Sequence, residues 1–235
     1  MIDIHSHLLF GVDDGPRYIE ESLDMLRDAA EQGVTAMILT PHYRGGMFSY
    51  PKDLIDENLA ELKEKSKDIG VELYLGTELH MSSNSVEYLK TQRVRTLAGT
   101  HYVLAEYKPE SEFAFIKNSV QDLIRHGYIP IVAHVERYAC LRDIECILFL
   151  REIGAMIQVN ADAVIGKDGF RAKAYTKKLL TGGLVHFVGS DCHSSNRRRS
   201  HMGKCREYLY KKFDKRYVDD IFYNNANEIL LAIKK

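Results

Sequence analysis

The 235 residues contain no tryptophan and only four cysteines. No apolar run approaches the ~18 residues a membrane-spanning helix requires. The cysteines, Cys140, Cys146, Cys192 and Cys205, form no C-x-x-C pair. A chain of this length does not need disulfide staples, so they are expected to be reduced thiols of a cytoplasmic protein. The start lacks the basic and apolar regions of a signal peptide. Neither sign of charge is in excess, with 32 Lys and Arg against 33 Asp and Glu. Formal net charge is −1, so no global field points to nucleic acid or to insertion at an anionic membrane. There is no Gly-rich dinucleotide fingerprint, which argues against a Rossmann domain. Nor is there a Pro/Gly/Ser linker, so residues 1–235 are expected to form a single domain.

What is present is a rhythm of short apolar strands and amphipathic helices. Strands are expected at 1–4, 36–39, 72–75, 102–105, 129–133, 156–159 and 185–188. Between them Ile19, Leu23, Leu26 and Ala30 recur at helical spacing, with Glu20, Glu21, Asp24 and Asp28 opposite and Gly33 as the stop. Leu54, Ile55, Leu59 and Leu62 repeat the pattern, as do Ile116, Val120, Leu123 and Ile124. Strands alternating with helices imply an α/β fold with a parallel sheet. About seven such units suit a closed or nearly closed barrel. Residues 225–233 read as a capped closing helix. The tyrosines Tyr208, Tyr210, Tyr217 and Tyr223 read as amphipathic packing on the last helices.

The strand ends carry the chemistry. His5 and His7 follow the first strand, two residues apart and therefore facing the same way, with Asp14 soon after. His42 follows the second, Glu78 the third, Glu106 the fourth, His134 the fifth, Asn160 the sixth, and Asp191 with His193 the seventh. Successive positions lie 26 to 37 residues apart, about one βα unit of roughly 30 residues. In βα barrels the active site lies at the C-terminal ends of the strands, so these residues should converge. Nine imidazoles and carboxylates exceed the three or four protein ligands of one zinc. They imply two or three divalent metals. The donor set has no thiolate and suits Mn, Fe or Zn. Such centres generate hydroxide and clamp the attacking and leaving oxygens of an in-line displacement.

Arginines indicate which bond is cleaved. Arg44 follows His42, Arg137 follows His134, and Arg197, Arg198 and Arg199 follow His193. Guanidinium forks match phosphate oxygens bidentately, so phosphate recognition is expected. Cys192 to Arg198 also spells Cys-x5-Arg, the nucleophile loop of cysteine-dependent tyrosine phosphatases. Here Asp191 opposes a thiolate and the loop has no glycine. Two further alternatives are a small phosphomonoester such as histidinol phosphate as substrate, and a catalytically silent protein that binds metal or a kinase tail.

The motif series resembles the PHP (polymerase and histidinol phosphatase) superfamily. Within it, the chain is similar to the bacterial metal-dependent protein-tyrosine phosphatases of capsule and exopolysaccharide loci. The resemblance rests on Met-Ile-Asp-Ile-His-Ser-His, Val-Asp-Asp-Gly-Pro, Thr-Pro-His-Tyr-Arg-Gly-Gly-Met-Phe, Gly-Thr-Glu, Ala-His-Val-Glu-Arg-Tyr, Gln-Val-Asn-Ala and Gly-Ser-Asp-Cys-His. It spans essentially the whole chain. It implies a distorted (β/α)7 TIM-like barrel, the PHP fold, holding three metals, often manganese. One metal would take His5, His7, Glu78 and Asp191. A second would share Glu78 and add Glu106 and His134. The third would take Asp14, His42 and His193. Arg137 would hold phosphate, with Arg198 as a second contact, although Arg197 and Arg199 compete for that role. The implied partner is the phosphotyrosine tail of a bacterial tyrosine kinase.

Overall fold

The structure, a computed structural model, describes residues 1–234. The strands are β1 (Ile2–Ser6), β2 (Ala36–Leu39), β3 (His42–Tyr43), β4 (Glu72–Leu75), β5 (Glu78–His80), β6 (Tyr102–Glu106), β7 (Ile129–Val132), β8 (Met156–Asn160) and β9 (Phe187–Gly189). All pairings are parallel, in a three-stranded sheet β1-β2-β4 and a six-stranded sheet β3-β5-β6-β7-β8-β9. The sheets are continuous through their backbone. Gly76 N–H donates to Leu39 O at 2.8 Å and Glu78 N–H to Pro41 O at 3.2 Å, carrying the ladder across the breaks between β2 and β3 and between β4 and β5. At the far edge Asp191 N–H donates to His5 O and His7 N–H to Cys192 O, both at 2.9 Å. The result is a mixed α/β fold with a curled parallel sheet.

The seven expected strands are present within one or two residues at each end. β3 and β5 are additional. They are only two and three residues long and lie beyond Pro41 and Gly76, where no apolar run announces them.

Helices cover the outside. In Ile19–Glu31 the buried face is Ile19, Ser22, Met25, Leu26 and Ala29. Ser22 takes the place expected for Leu23 because its hydroxyl donates to Leu8 O at 2.7 Å. A buried hydroxyl without such a partner would cost free energy. In Lys52–Lys65 the buried side chains are Ile55, Asn58 and Leu62, and Leu54 is exposed. In Phe113–Arg125 they are Ile116, Val120 and Leu123. Burying one such aliphatic side chain contributes roughly 1.5–3 kcal/mol.

Two apolar clusters divide the core. The larger lies between sheet and helices and includes Met37, Leu39, Leu73, Val132, Ile157 and Val188. The smaller fills the inside of the curl with Ile2, Ile4, Ile38, Leu104, Ile131 and Phe187. Ala226 and Ile229 of the helix Asn225–Leu231 join this inner cluster, so the expected closing helix packs there. Tyr208, Tyr210 and Tyr217 are partly buried against the larger cluster, whereas Tyr223 is exposed. All four cysteines are free. Among the described residues no helix is long and apolar enough to cross a membrane.

Candidate metal centre

Along β1, strict alternation would place Ile2, Ile4 and Ser6 on one face and turn His5 to the other. The pairing with β2 slips instead, from Asp3 opposite Met37 to Ser6 opposite Leu39. One extra residue is thereby accommodated, as in a β-bulge. Ile4 stays in the inner cluster and His5 also turns inward. Gly189 of β9 makes the room. A Cβ there would lie 2.9 Å from Gln158 Nε2 and 3.0 Å from His5 Cβ.

Above the inner apolar cluster the side chains become ionic. Glu78 is completely buried and sits among four imidazoles: His134 Nε2 at 2.7 Å, His42 Nδ1 at 2.9 Å, His7 Nε2 at 3.1 Å and His5 Nε2 at 3.2 Å. Asp191 Oδ1 lies 3.5 Å from His5 Nε2 and 3.6 Å from His7 Nε2. Asp14 Oδ1 lies 3.3 Å from His193 Nε2 and 3.4 Å from His42 Nε2. Four overlapping sets have all their donor atoms within 4.8 Å of one another. They are His7, Asp14, His42 and His193; His5, His134 and Asp191; His5, His7 and Glu78; and His42, Glu78 and Glu106. All nine candidate ligands read from the sequence therefore meet in one place.

A partner beyond the cluster orients most of these groups, as is usual around metal ligands. His7 Nδ1–H donates to Asp13 Oδ2 at 2.8 Å, and Asp13 also accepts the N–H groups of His42 and Gly15. Gly15 is obligatory in this turn, since a Cβ would lie 2.1 Å from His7 O. His5 Nδ1–H donates to Gln158 Oε1 at 3.2 Å, and the His134 N–H donates to the same oxygen at 2.8 Å. Tyr138 Oη lies within hydrogen-bond distance of His134 Nδ1, at 3.1 Å. Gln158 donates to Asn160, which donates to Asp191 Oδ2 at 2.9 Å. Sequence reasoning missed Asp13, Gln158 and Tyr138. The available signal was Gln158, a polar residue between Ile157 and Val159 in a buried strand.

Burial disfavours a charged carboxylate, yet His5, His42 and His134 hold Glu78 well below its usual range. Asp191 is likewise buried, and Arg137 and His5 hold it low. Burial and His7 push His193 down to about 4. Two of the nine have left-handed backbone, His134 at φ 30° and Asp191 at φ 51°. Such strain in non-glycine residues concentrates at functional sites.

The arginines divide. Arg137 Nη2 lies 2.5 Å from Asp191 Oδ2. Arg198 reaches Asp14 Oδ2 at 3.3 Å and Asp191 Oδ1 at 3.5 Å. Arg197 lines, with Arg137 and Asp191, a pocket of about 210 Å³ beside the cluster. Arg199 pairs with Asp28 and still lines, with Arg198, the pocket that Arg197 borders. The side chain of Arg44 makes no hydrogen bond or ion pair among the described residues, although its loop carries Phe48, whose ring stacks on His42 at 5.1 Å. Cys192 is buried, and burial together with Asp3 pushes its thiol far up.

The residues fit divalent metal ions. Among the described residues Glu78 Oε2 and His193 Nε2 are buried without a hydrogen-bond partner, and the donors are imidazole nitrogen and carboxylate oxygen without thiolate. A curled parallel α/β sheet bearing these clusters at its strand ends has PHP- and TIM-like architecture. Histidinol phosphate phosphatase from Lactococcus lactis shares it, with a TM-score of 0.59 at 16% identity over 91% of this chain and 94% of that one. The chain belongs to the family described as capsular polysaccharide synthesis, CpsB/CapC, whose profile matches residues 1–231. Tyrosine-protein phosphatase CpsB of Streptococcus agalactiae is 32% identical over 238 residues, covering 98% of each chain. Tyrosine-protein phosphatase YwqE of Bacillus subtilis is 31% identical over 216 residues, 91% of this chain and 85% of that one. A crystal structure from work on YwqE and on CpsB of Streptococcus pneumoniae, described as unique metal-dependent tyrosine phosphatases, matches with a TM-score of 0.90. It is 29% identical and covers 100% of this chain and 94% of that one.

Proposed function

We propose that this chain is a metal-dependent protein-tyrosine phosphatase of capsule or exopolysaccharide synthesis, acting in the cytoplasm on the phosphorylated tyrosine tail of a bacterial tyrosine kinase. One observation carries the metal dependence. A single buried carboxylate, Glu78, has four imidazole nitrogens within 3.2 Å, an arrangement that a shared divalent cation explains and hydrogen bonding alone does not. The fold reading behind it is the (β/α)7 barrel, with β2 and β3, and β4 and β5, each taken as one interrupted strand.

His5, His7, Asp14, His42, Glu78, Glu106, His134, Asp191 and His193 would hold two or three ions, with manganese first and iron or zinc as alternatives. Bound there, the ions supply Lewis acidity and an activated water for attack on phosphorus. The chain's own residues bind and orient the phosphoryl group. Arg137 and Arg198 each use part of the guanidinium on Asp191 or Asp14, leaving other N–H groups for phosphoryl oxygens. Their charge opposes the charge that builds on those oxygens in the transition state. Arg197, on the neighbouring pocket wall, is the third substrate contact, and Arg44 is the fourth. A departing phenol has a pKa near ~10, so it needs less proton donation than an alkyl alcohol does. Cys192, buried and far from thiolate formation, is no nucleophile.

Chelation by EDTA should abolish p-nitrophenyl phosphate hydrolysis and added Mn²⁺ should restore it. Full activity in the metal-free protein would overturn the proposal.

A further inference from the structure

Among the described residues eight of the nine candidate ligands pair with at least one other member of the cluster, but Glu106 does not. Among the described residues its carboxylate has a single hydrogen-bond partner, His80, whose Nδ1 lies 3.0 Å from Oε2. His80 follows Glu78 by two residues on β5, so the two side chains share a face. The β5–β6 register sets His80 opposite Glu106. Both side chains lie near the mouth, 12% and 16% exposed. Glu106 in turn belongs to the donor set with His42 and Glu78.

We propose that His80 is a positioning residue for Glu106. Its Nδ1–H donates to Oε2 and holds the carboxylate plane, so that the remaining oxygen faces His42 and Glu78. A glutamate has three side-chain torsions, and without this bond Glu106 would rotate toward solvent. Asp13 does the same for His7, Gln158 for His5 and Asn160 for Asp191. His80 does so for Glu106, whose carboxylate has no other hydrogen-bond partner among the described residues. It acts through the one candidate ligand whose carboxylate pairs with no other member of the cluster among the described residues.

The inference rests on the metal-centre reading, and metal uptake tests the two separately. Mn²⁺, and in a second series Zn²⁺, is titrated calorimetrically into chelator-treated protein, with bound ions counted by elemental analysis. His80→Ala should weaken one class of ion about 10- to 100-fold and leave the others unchanged. His80→Asn, whose amide donates from nearly the same place, should recover most of the loss. In a Glu106→Gln background His80→Ala should add no further loss. Wild-type-like titration of His80→Ala overturns the inference alone. An equal loss in the Glu106→Gln background also overturns it, because His80 would then act elsewhere. A wild-type chain that takes up neither ion overturns the metal centre, and the inference falls with it.

Discussion

Several members of the cluster depend on a small or polar neighbour outside it. Gly189 is the sharpest case. A methyl group there would press on Gln158 and His5 together, and Gln158 also bonds the His134 N–H. Gly189→Ala is expected to cost about 1–3 kcal/mol of stability through overpacking. It should also weaken metal binding on the order of tenfold by tilting His5. Thermal unfolding and calorimetric Mn²⁺ titration of the same sample would check both. At this scale the sequence was legible for the ligands and opaque for their supports. His5, His42, Glu78 and Asp191 stand out because histidine and carboxylate at strand ends are chemically conspicuous. Asp13 looked no different from Asp14, yet one faces His7 Nδ1 and the other faces His42 and His193. Tyr138 could not be assigned because its role comes from reaching back to His134 within a tight turn.

Among the elements, β9 shows how the far ends of strands serve the near ones. At its entrance His186 Nδ1 accepts the Ile157 N–H at 2.9 Å, tying the approach to β9 to β8. Burial, with Arg151 nearby, pushes His186 down to about 4. The unfolded chain titrates near ~6.5, so as the pH falls the unfolded state takes the proton first. The contribution of neutral His186 is complete above that value and is lost as the pH falls toward the folded value. The total is about 2–3 kcal/mol after allowance for partial exposure. His186→Asn keeps an acceptor but cannot titrate. Its urea-unfolding free energy should fall less between pH 7 and pH 4.5 than that of the wild type, and parallel curves would contradict this. Strand positions were legible from apolar runs bounded by glycine and polar residues. β3, β5 and the slip in β1 were not, because Pro41 and Gly76 interrupt the runs and a bulge leaves no compositional trace. His5 was therefore read as lying past a strand when it lies within one.

For the whole molecule the open choice is between substrates that reach one site. Cys192→Ser should retain phosphatase activity, since a buried, protonated thiol contributes nothing to attack. Loss of turnover in a folded Cys192→Ser protein would revive the cysteine route. A phosphotyrosyl peptide should be turned over on the order of tenfold or more faster than histidinol phosphate or bis-p-nitrophenyl phosphate under defined Mn²⁺. The reverse order would move the chain to small-molecule chemistry. The spacing of strand ends foretold the convergence of all nine residues, because a parallel sheet with helical crossovers returns the chain to the same face. The junction of β1 with β9 adds a consequence for biogenesis. His5 and His7 come from one side of that junction and Asp191 and His193 from the other. At about 5–20 residues per second, the ribosome needs roughly 10–40 s between making the first pair and the last. During that interval a nascent chain holds His5, His7, Asp14, Glu78 and in time His134 without Asp191 and His193, so the set of donors is complete only once the chain beyond β9 has been made.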